Sequence, residues 1–214
     1  MNDTLKIILD SGLIAIMRAD SSKGLMETAR ALARGGIRAM EVTLTTPGSL
    51  ETISALAREC RREFLIGAGT VLDAASARKA IAAGAEFLVS PNVDVAMIRA
   101  AKEAGKVVCP GALTPTEIVT AWQAGADLIK VFPASVVGPA YFKAVLAPLP
   151  QVRLVPVGGV DLSNIAAYIK AGACAVGVGG ALVSRERVAA ADWEGVAAVA
   201  RQYLEAVAAA RRPG

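Results

Sequence analysis

The sequence predicts an α/β fold, a (β/α)8 TIM barrel preceded by a short N-terminal helix, and three observations predict it. Helix-like stretches alternate with short apolar runs along the whole chain, glycine stops recur at a near-constant interval, and the strand-plus-helix units number eight. The visible repeat is a helix end. Ala83-Gly84-Ala85, Ala104-Gly105, Ala124-Gly125-Ala126 and Ala171-Gly172-Ala173 each stand just before a strand-like run. Gly84, Gly105 and Gly125 fall 21 and 20 residues apart, the length of one compact helix plus strand. Short buried strands in strict alternation, joined by right-handed crossovers, close most naturally into a barrel. An open doubly wound sheet is the alternative; it has fewer units and a dinucleotide-type glycine loop after its first strand, where this chain has Arg18-Ala19-Asp20.

In order, residues 4–11 read as a short helix stopped by Gly12, and 13–18 (Leu-Ile-Ala-Ile-Met-Arg) as the first strand. Ser21 or Ser22 can cap a helix that runs to Gly35-Gly36, ahead of a strand over 39–45. A helix over 49–62 precedes the strand 64–68, and 74–84 precedes 86–90. Residues 94–105 lead to 107–109, and 115–125 lead to the run 126–133. Residues 138–146 lead to 153–157, 163–172 lead to 175–178, and the last helix covers 193–210.

The composition suits one domain over residues 1–214: 54% of the chain is hydrophobic, 20 residues are glycine and only 4% are aromatic, so the core is aliphatic. No apolar run reaches the ~20 residues a membrane span needs, and the N-terminal segment, with Asp3 and Asp10, does not read as a signal peptide; the expectation is a cytoplasmic protein without membrane partners. Cys60, Cys109 and Cys174 are odd in number and far apart, so neither a disulfide framework nor a metal cluster is expected. The net charge is only +4, with basic residues such as Arg58, Arg61 and Arg62 scattered through helical patterns, which argues against nucleic acid. Histidine is absent. That excludes His-dependent triads and His-ligated metals and leaves acid, base and nucleophile to Glu, Asp, Lys, Cys, Tyr or a hydroxyl.

Within the run 126–133 (Ala-Asp-Leu-Ile-Lys-Val-Phe-Pro), Lys130 interrupts an otherwise apolar strand and shares its face with Leu128 and Phe132. A lysine there can lay its stem on apolar surface and reach water, or pair with a buried acid. It can also act as a nucleophilic amine. An unperturbed lysine, pKa ~10.4, is neutral roughly once in a few thousand molecules at pH 7, and desolvation or a nearby cation raises that fraction. In a barrel, the residues at strand C-termini gather at one mouth. Those residues here are Arg18, Glu41 with Thr43 and Thr45, Thr70, Ser90 and Lys130. Glu41 shares parity with Thr43 and points inward if that position does. A structural Glu41–Lys130 ion pair is one reading; such pairs are often no better for stability than apolar substitutes. The functional reading makes Lys130 attack a ketone to give an iminium, Glu41 move protons, and Arg18 hold a carboxylate in a fork. Gly158-Gly159 and Gly179-Gly180, after the last two strands, stand where barrels bind phosphate through backbone N–H groups.

On these residues the chain resembles the KDPG/KHG aldolase family, pyruvate-dependent class I aldolases. The resemblance spans nearly the whole chain and rests on Glu41-Val42-Thr43-Leu44-Thr45, Gly67-Ala68-Gly69-Thr70-Val71, Ser90-Pro91-Asn92, Cys109-Pro110-Gly111, Lys130-Val131-Phe132-Pro133 and Pro156-Val157-Gly158-Gly159-Val160. It implies that Lys130 is the Schiff-base lysine and Glu41 the general acid/base. It further implies that Thr70 and an arginine hold the pyruvate carboxylate, that Pro91 and Phe132 line the pocket, and that the protein is a homotrimer needing no cofactor. Some members carry that arginine where Thr45 stands; others carry it at the end of strand one, so here the carboxylate falls to Arg18. Many members have Thr in place of Val157 and Ser in place of Gly180. Valine at 157 is similar to the 6-phosphogalactonate aldolases. The expected reaction is cleavage of 2-keto-3-deoxy-6-phosphogluconate to pyruvate and glyceraldehyde 3-phosphate, with 4-hydroxy-2-oxoglutarate as a further substrate. The galactonate epimer is one alternative. A phosphosugar isomerase or synthase using Lys130 as a point charge, and a binding barrel without turnover, are others.

Overall fold

A computed structural model describes residues 2–60 and 63–212, in which helices alternate with parallel strands. The helix α1 (Asp3–Ser11) ends at Gly12, whose φ of 68° is left-handed, and leads into β1 (Leu13–Met17). The units that follow are α2 (Leu25–Arg34) and β2 (Ala39–Thr43), α3 (Ser49–Glu59) and β3 (Leu65–Gly69), α4 (Ala74–Ala82) and β4 (Phe87–Val89), and α5 (Val95–Glu103) and β5 (Val107–Cys109). After β6 (Gly111–Ala112) come α6 (Pro115–Gln123), β7 (Ile129–Val131), α7 (Ala134–Leu146), β8 (Leu154–Pro156), α8 (Ile165–Lys170), β9 (Val176–Val178), α9 (Arg185–Ala189) and α10 (Trp193–Arg211). The four expected glycine stops, Gly84, Gly105, Gly125 and Gly172, all adopt positive φ between 68° and 104°.

The strands form two parallel, curled sheets, one in the order β5-β4-β3-β2-β1-β9 and one in the order β6-β7-β8. At one seam a parallel bridge joins Val157, just beyond β8, to Gly177 of β9. At the other the chain itself runs from β5 through Pro110 into β6. The fifth expected strand, 107–109, is found as β5, and β6 beyond Pro110 is an addition to the expected set. Proline has no N–H to give to a ladder, and its carbonyl instead accepts from Lys130 N at 2.9 Å.

Three other expectations change in detail. Neither Ser21 nor Ser22 caps α2; the N-cap is Gly24, left-handed at φ 80° and without a side-chain bond, and Leu25 N donates to the Ser22 carbonyl. The helix expected from 138 begins at Ala134 and passes a kink at Gly138 beside Pro139. The sequence reading did not include α9, which is capped by the Ser184 hydroxyl accepting from Arg187 N. The expected end of the helix 49–62 lies outside the described residues.

Alternate strand residues separate into two apolar clusters, as the two-residue period requires. Leu13, Ala15, Met17, Met40, Val42, Ile129 and Val131 pack against α2 to α8 and α10. Ile14, Ala39, Phe87, Val107, Leu128, Val155 and Ala175 form the inner cluster. The inner cluster takes its helical members from α1 alone: Leu5 and Ile8, with Leu9 partly buried. The first helix thus closes one end of the inner face, and Arg211 of α10 fastens that end by donating to the carbonyls of Asp10 and Cys174. Ile8 is fully buried. Ile8→Ala is expected to cost about 2–5 kcal/mol of stability, read as a lower urea midpoint with unchanged slope.

Candidate active site

Lys130 lies in the middle of β7, opposite Gly111 of β6 and Val155 of β8. Parity puts its side chain on the inner face with Leu128, and only 5% of the residue is exposed. Its Nζ sits 4.8 Å from the centroid of the Phe132 ring, within cation–π range. Among the described residues no carboxylate oxygen comes within 4.0 Å of Nζ, so the structural ion pair with Glu41 is not formed.

Glu41 lies on β2 between Ile16 of β1 and Gly67 of β3, and is 1% exposed. Space for its carboxyl comes from Gly69: a Cβ at that position would stand 2.5 Å from Oε1. Its Oε2 has no hydrogen-bond partner among the described residues. Burial pushes the Glu41 carboxyl above its ordinary range, while the charges of Lys130 and Arg18 pull it back. A buried acid with a vacant acceptor oxygen, felt by two cations, is equipped to hold and release a proton.

The ends of β1 and β2 are tied by hydroxyls. Thr45 donates to Thr43, Thr43 and Thr46 share a 3.2 Å bond, and Thr46 Oγ1 accepts from Ala19 N. This chain fixes the backbone beside Arg18. Thr70 follows Gly69 in a left-handed conformation, φ 57°, which a β-branched residue adopts only under strain. Pro91 packs on Gly111, where a Cβ would meet the Pro91 carbonyl at 2.3 Å, and so stands beside the partner of Lys130 in the ladder. Ser90 is buried and its hydroxyl donates to Asn92 O, a turn role.

A cavity of about 410 Å³ opens at this end of the strands, and its wall includes Arg18, Phe132, Gly158, Gly159, Gly179 and Gly180. Gly158 and Gly159 have φ of 89° and 76°, and a Cβ at Gly158 would press on Phe132 at 3.3 Å. The structure therefore gathers Arg18, Phe132 and both glycine pairs on one wall. Lys130 lies under Phe132 and Glu41 is within electrostatic reach, whereas Thr70 and Pro91 lie at neighbouring strand ends outside that wall. Ile16, Asp161, Ala181, Val183 and Arg185 also line it and were missed by sequence reasoning. The alternation of β1 carried a signal for Ile16; nothing local marked Arg185.

Cysteine is a poor rival nucleophile. Burial raises all three thiols: Cys109, on the inner face near Lys130, far above the usual range; Cys174 to about 11; and Cys60 upward. Among the described residues no three His, Cys, Asp or Glu side chains come together as metal ligands.

A family model described as KDPG and KHG aldolase matches residues 5–199. A 2-dehydro-3-deoxy-phosphogluconate aldolase of Treponema pallidum (strain Nichols) is 37% identical over 196 residues, 91% of this chain and 93% of that protein. A 2-dehydro-3-deoxy-6-phosphogalactonate aldolase of Escherichia coli (strain K12) is 36% identical over 196 residues, 91% of this chain and 96% of that protein. The crystal structure of a KDPG aldolase from Legionella pneumophila, with pyruvate captured as a covalent carbinolamine intermediate, superposes with a TM-score of 0.83 at 27% identity, covering 94% of this chain and 97% of that one.

The raised pKa of Glu41 sets a sign for stability. A carboxyl whose folded value exceeds its unfolded one stabilises the fold fully below the ordinary 4.5, and that contribution is lost as pH rises through the folded value. Glu41→Gln, neutral throughout, should therefore melt higher than the parent at about pH 8 and gain little at about pH 4. A difference in melting temperature that ignores pH contradicts this.

Proposed function

The chain belongs to the KDPG and KHG aldolase family, and from that premise we propose that it is a class I aldolase cleaving 2-keto-3-deoxy-6-phosphogluconate to pyruvate and glyceraldehyde 3-phosphate. The observation that carries this reading is the buried Lys130 amine beside Phe132, with no carboxylate paired to it among the described residues, on the same inner face as Glu41, whose Oε2 has no hydrogen-bond partner among them. Nζ attacks C2 of the keto acid to give a carbinolamine, and loss of water leaves an iminium. The Glu41 carboxylate takes the proton of the C4 hydroxyl, the C3–C4 bond breaks, and its electrons pass into the iminium as an enamine while the aldehyde departs. Glu41 returns that proton to C3, and water releases pyruvate and regenerates the amine. Arg18 takes the substrate carboxylate as a fork and Thr70 supplies a hydroxyl to it. Phe132 walls the pocket, Pro91 backs it from the neighbouring strand end, and the backbone N–H groups of Gly158, Gly159, Gly179 and Gly180 would meet the phosphate end of the substrate.

The galactonate epimer is a second reading, and Val157 favours it: this apolar side chain stands in the cavity wall against Gly177, with no hydroxyl to meet a C4 oxygen. We also infer that residues 1–214 form one domain whose two sheets close as a (β/α)8 barrel, since the Val157–Gly177 bridge and the passage through Pro110 support both seams. A homotrimer is part of the same proposal; the exposed apolar side chains of Leu72 and Val136 are surface that a neighbouring subunit would cover.

The test is a retro-aldol assay reading pyruvate release from both epimers and from 4-hydroxy-2-oxoglutarate. Lys130→Arg is expected to abolish cleavage, because a guanidinium keeps the charge but forms no imine; substantial residual activity favours an isomerase or synthase in which Lys130 only binds. Glu41→Gln is expected to lower kcat by about 10²–10⁴-fold.

A further inference from the structure

Of the residues lining the cavity, the charged ones are Arg18, Asp161 and Arg185, and none carries a hydroxyl. The Asp161 carboxylate already accepts the Ser163 N–H and hydroxyl, which hold its pKa below the usual range. Arg18 acts at the inner end, where its charge is felt by Glu41. Arg185, at the start of α9, lines the same cavity and has Asp20 as its ion-pair partner at 3.5 Å. Both side chains of that pair are largely exposed, at 72% and 84%, so it is weak and open to replacement by a stronger anion. On the wall of the same cavity the backbone N–H groups of Gly159, Val160, Gly180 and Ala181 donate to no acceptor among the described residues.

We propose that Arg185 is a specificity-determining residue that binds the terminal phosphate of the substrate, supplying the charge that the hydroxyl-free glycine loops lack. The inference rests on the aldolase reading. The substrate of that reading is anionic at both ends, and the cavity presents one arginine for each: Arg18 for the carboxylate beside Lys130, Arg185 for the phosphate above the glycines. A guanidinium fork suits a phosphate dianion, and backbone N–H groups complete its shell. Displacing Asp20 makes the ion pair a placeholder that leaves when phosphate arrives. No bond is made or broken by Arg185, so its effect is on recognition.

The experiment compares kcat/KM for a phosphorylated 2-keto-3-deoxy sugar acid with that for its unphosphorylated counterpart, in the parent, Arg185→Ala and Arg185→Lys. The ratio is expected to fall by about 10- to 100-fold in Arg185→Ala, chiefly through KM, and to recover in part in Arg185→Lys. Inhibition by inorganic phosphate should weaken by a similar factor. Exchange of pyruvate methyl protons with deuterated solvent needs no phosphate and reports the aldolase chemistry separately. A parent protein without that exchange overturns the aldolase reading and this inference with it. Exchange that persists while the Arg185→Ala ratio stays at the parent value overturns the inference alone.

Discussion

The carboxyl of Glu41 is held away from water on a face built of aliphatic side chains and glycine, and its neighbours are arranged around that burial. An isolated buried carboxylate is costly enough that it either takes up a proton or finds a compensating charge. Here the structure stops short of full compensation. Lys130 and Arg18 pull the carboxyl back toward ionisation from beyond 4.0 Å, and Oε2 is left without a partner among the described residues. A closed ion pair would occupy both groups with each other, whereas here the amine and the carboxyl remain separate. Gly69 is what makes the position available, since any side chain there would occupy the place of Oε1.

The second constraint is the two-residue period of a strand. It divides the sheet residues into an outer set under the helices and an inner set that α1 covers at one end. Lys130 and Glu41 belong to the inner set from strands of different sheets, and the charge of one is felt by the other across the inner face. At the open end the loops supply what strands cannot. Glycines 158 and 159 turn left-handed and leave N–H groups exposed, the Thr43–Thr46 bond steadies the end of β1, and Thr70 is strained between β3 and β4.

Much of this was legible in the residues themselves. The alternation of Leu128, Lys130 and Phe132 states which face the lysine shares, and the glycines before strands state where helices end, because both are local consequences of backbone geometry. The fifth strand ends at Cys109 as read, before a proline that has no N–H to give; the two-residue β6 after it carried no local mark. The cap of α2 was misread because Gly24 turns the chain after the serines that would have capped it. Other features depend on three-dimensional neighbours and have no local mark. Gly69 reads as an ordinary strand glycine until the Glu41 carboxyl is found against it from the neighbouring strand, and Arg185 opens a short helix brought to the cavity of Gly158 by the order of β8, β9 and β1.

The central claim is that Lys130 is the amine that bonds to the keto acid. Incubation with pyruvate and borohydride, followed by peptide mass mapping, tests it directly. The account predicts one reduced pyruvyl group per chain, on the peptide carrying Lys130, and none in Lys130→Arg. No adduct, or an adduct on another lysine, would contradict it.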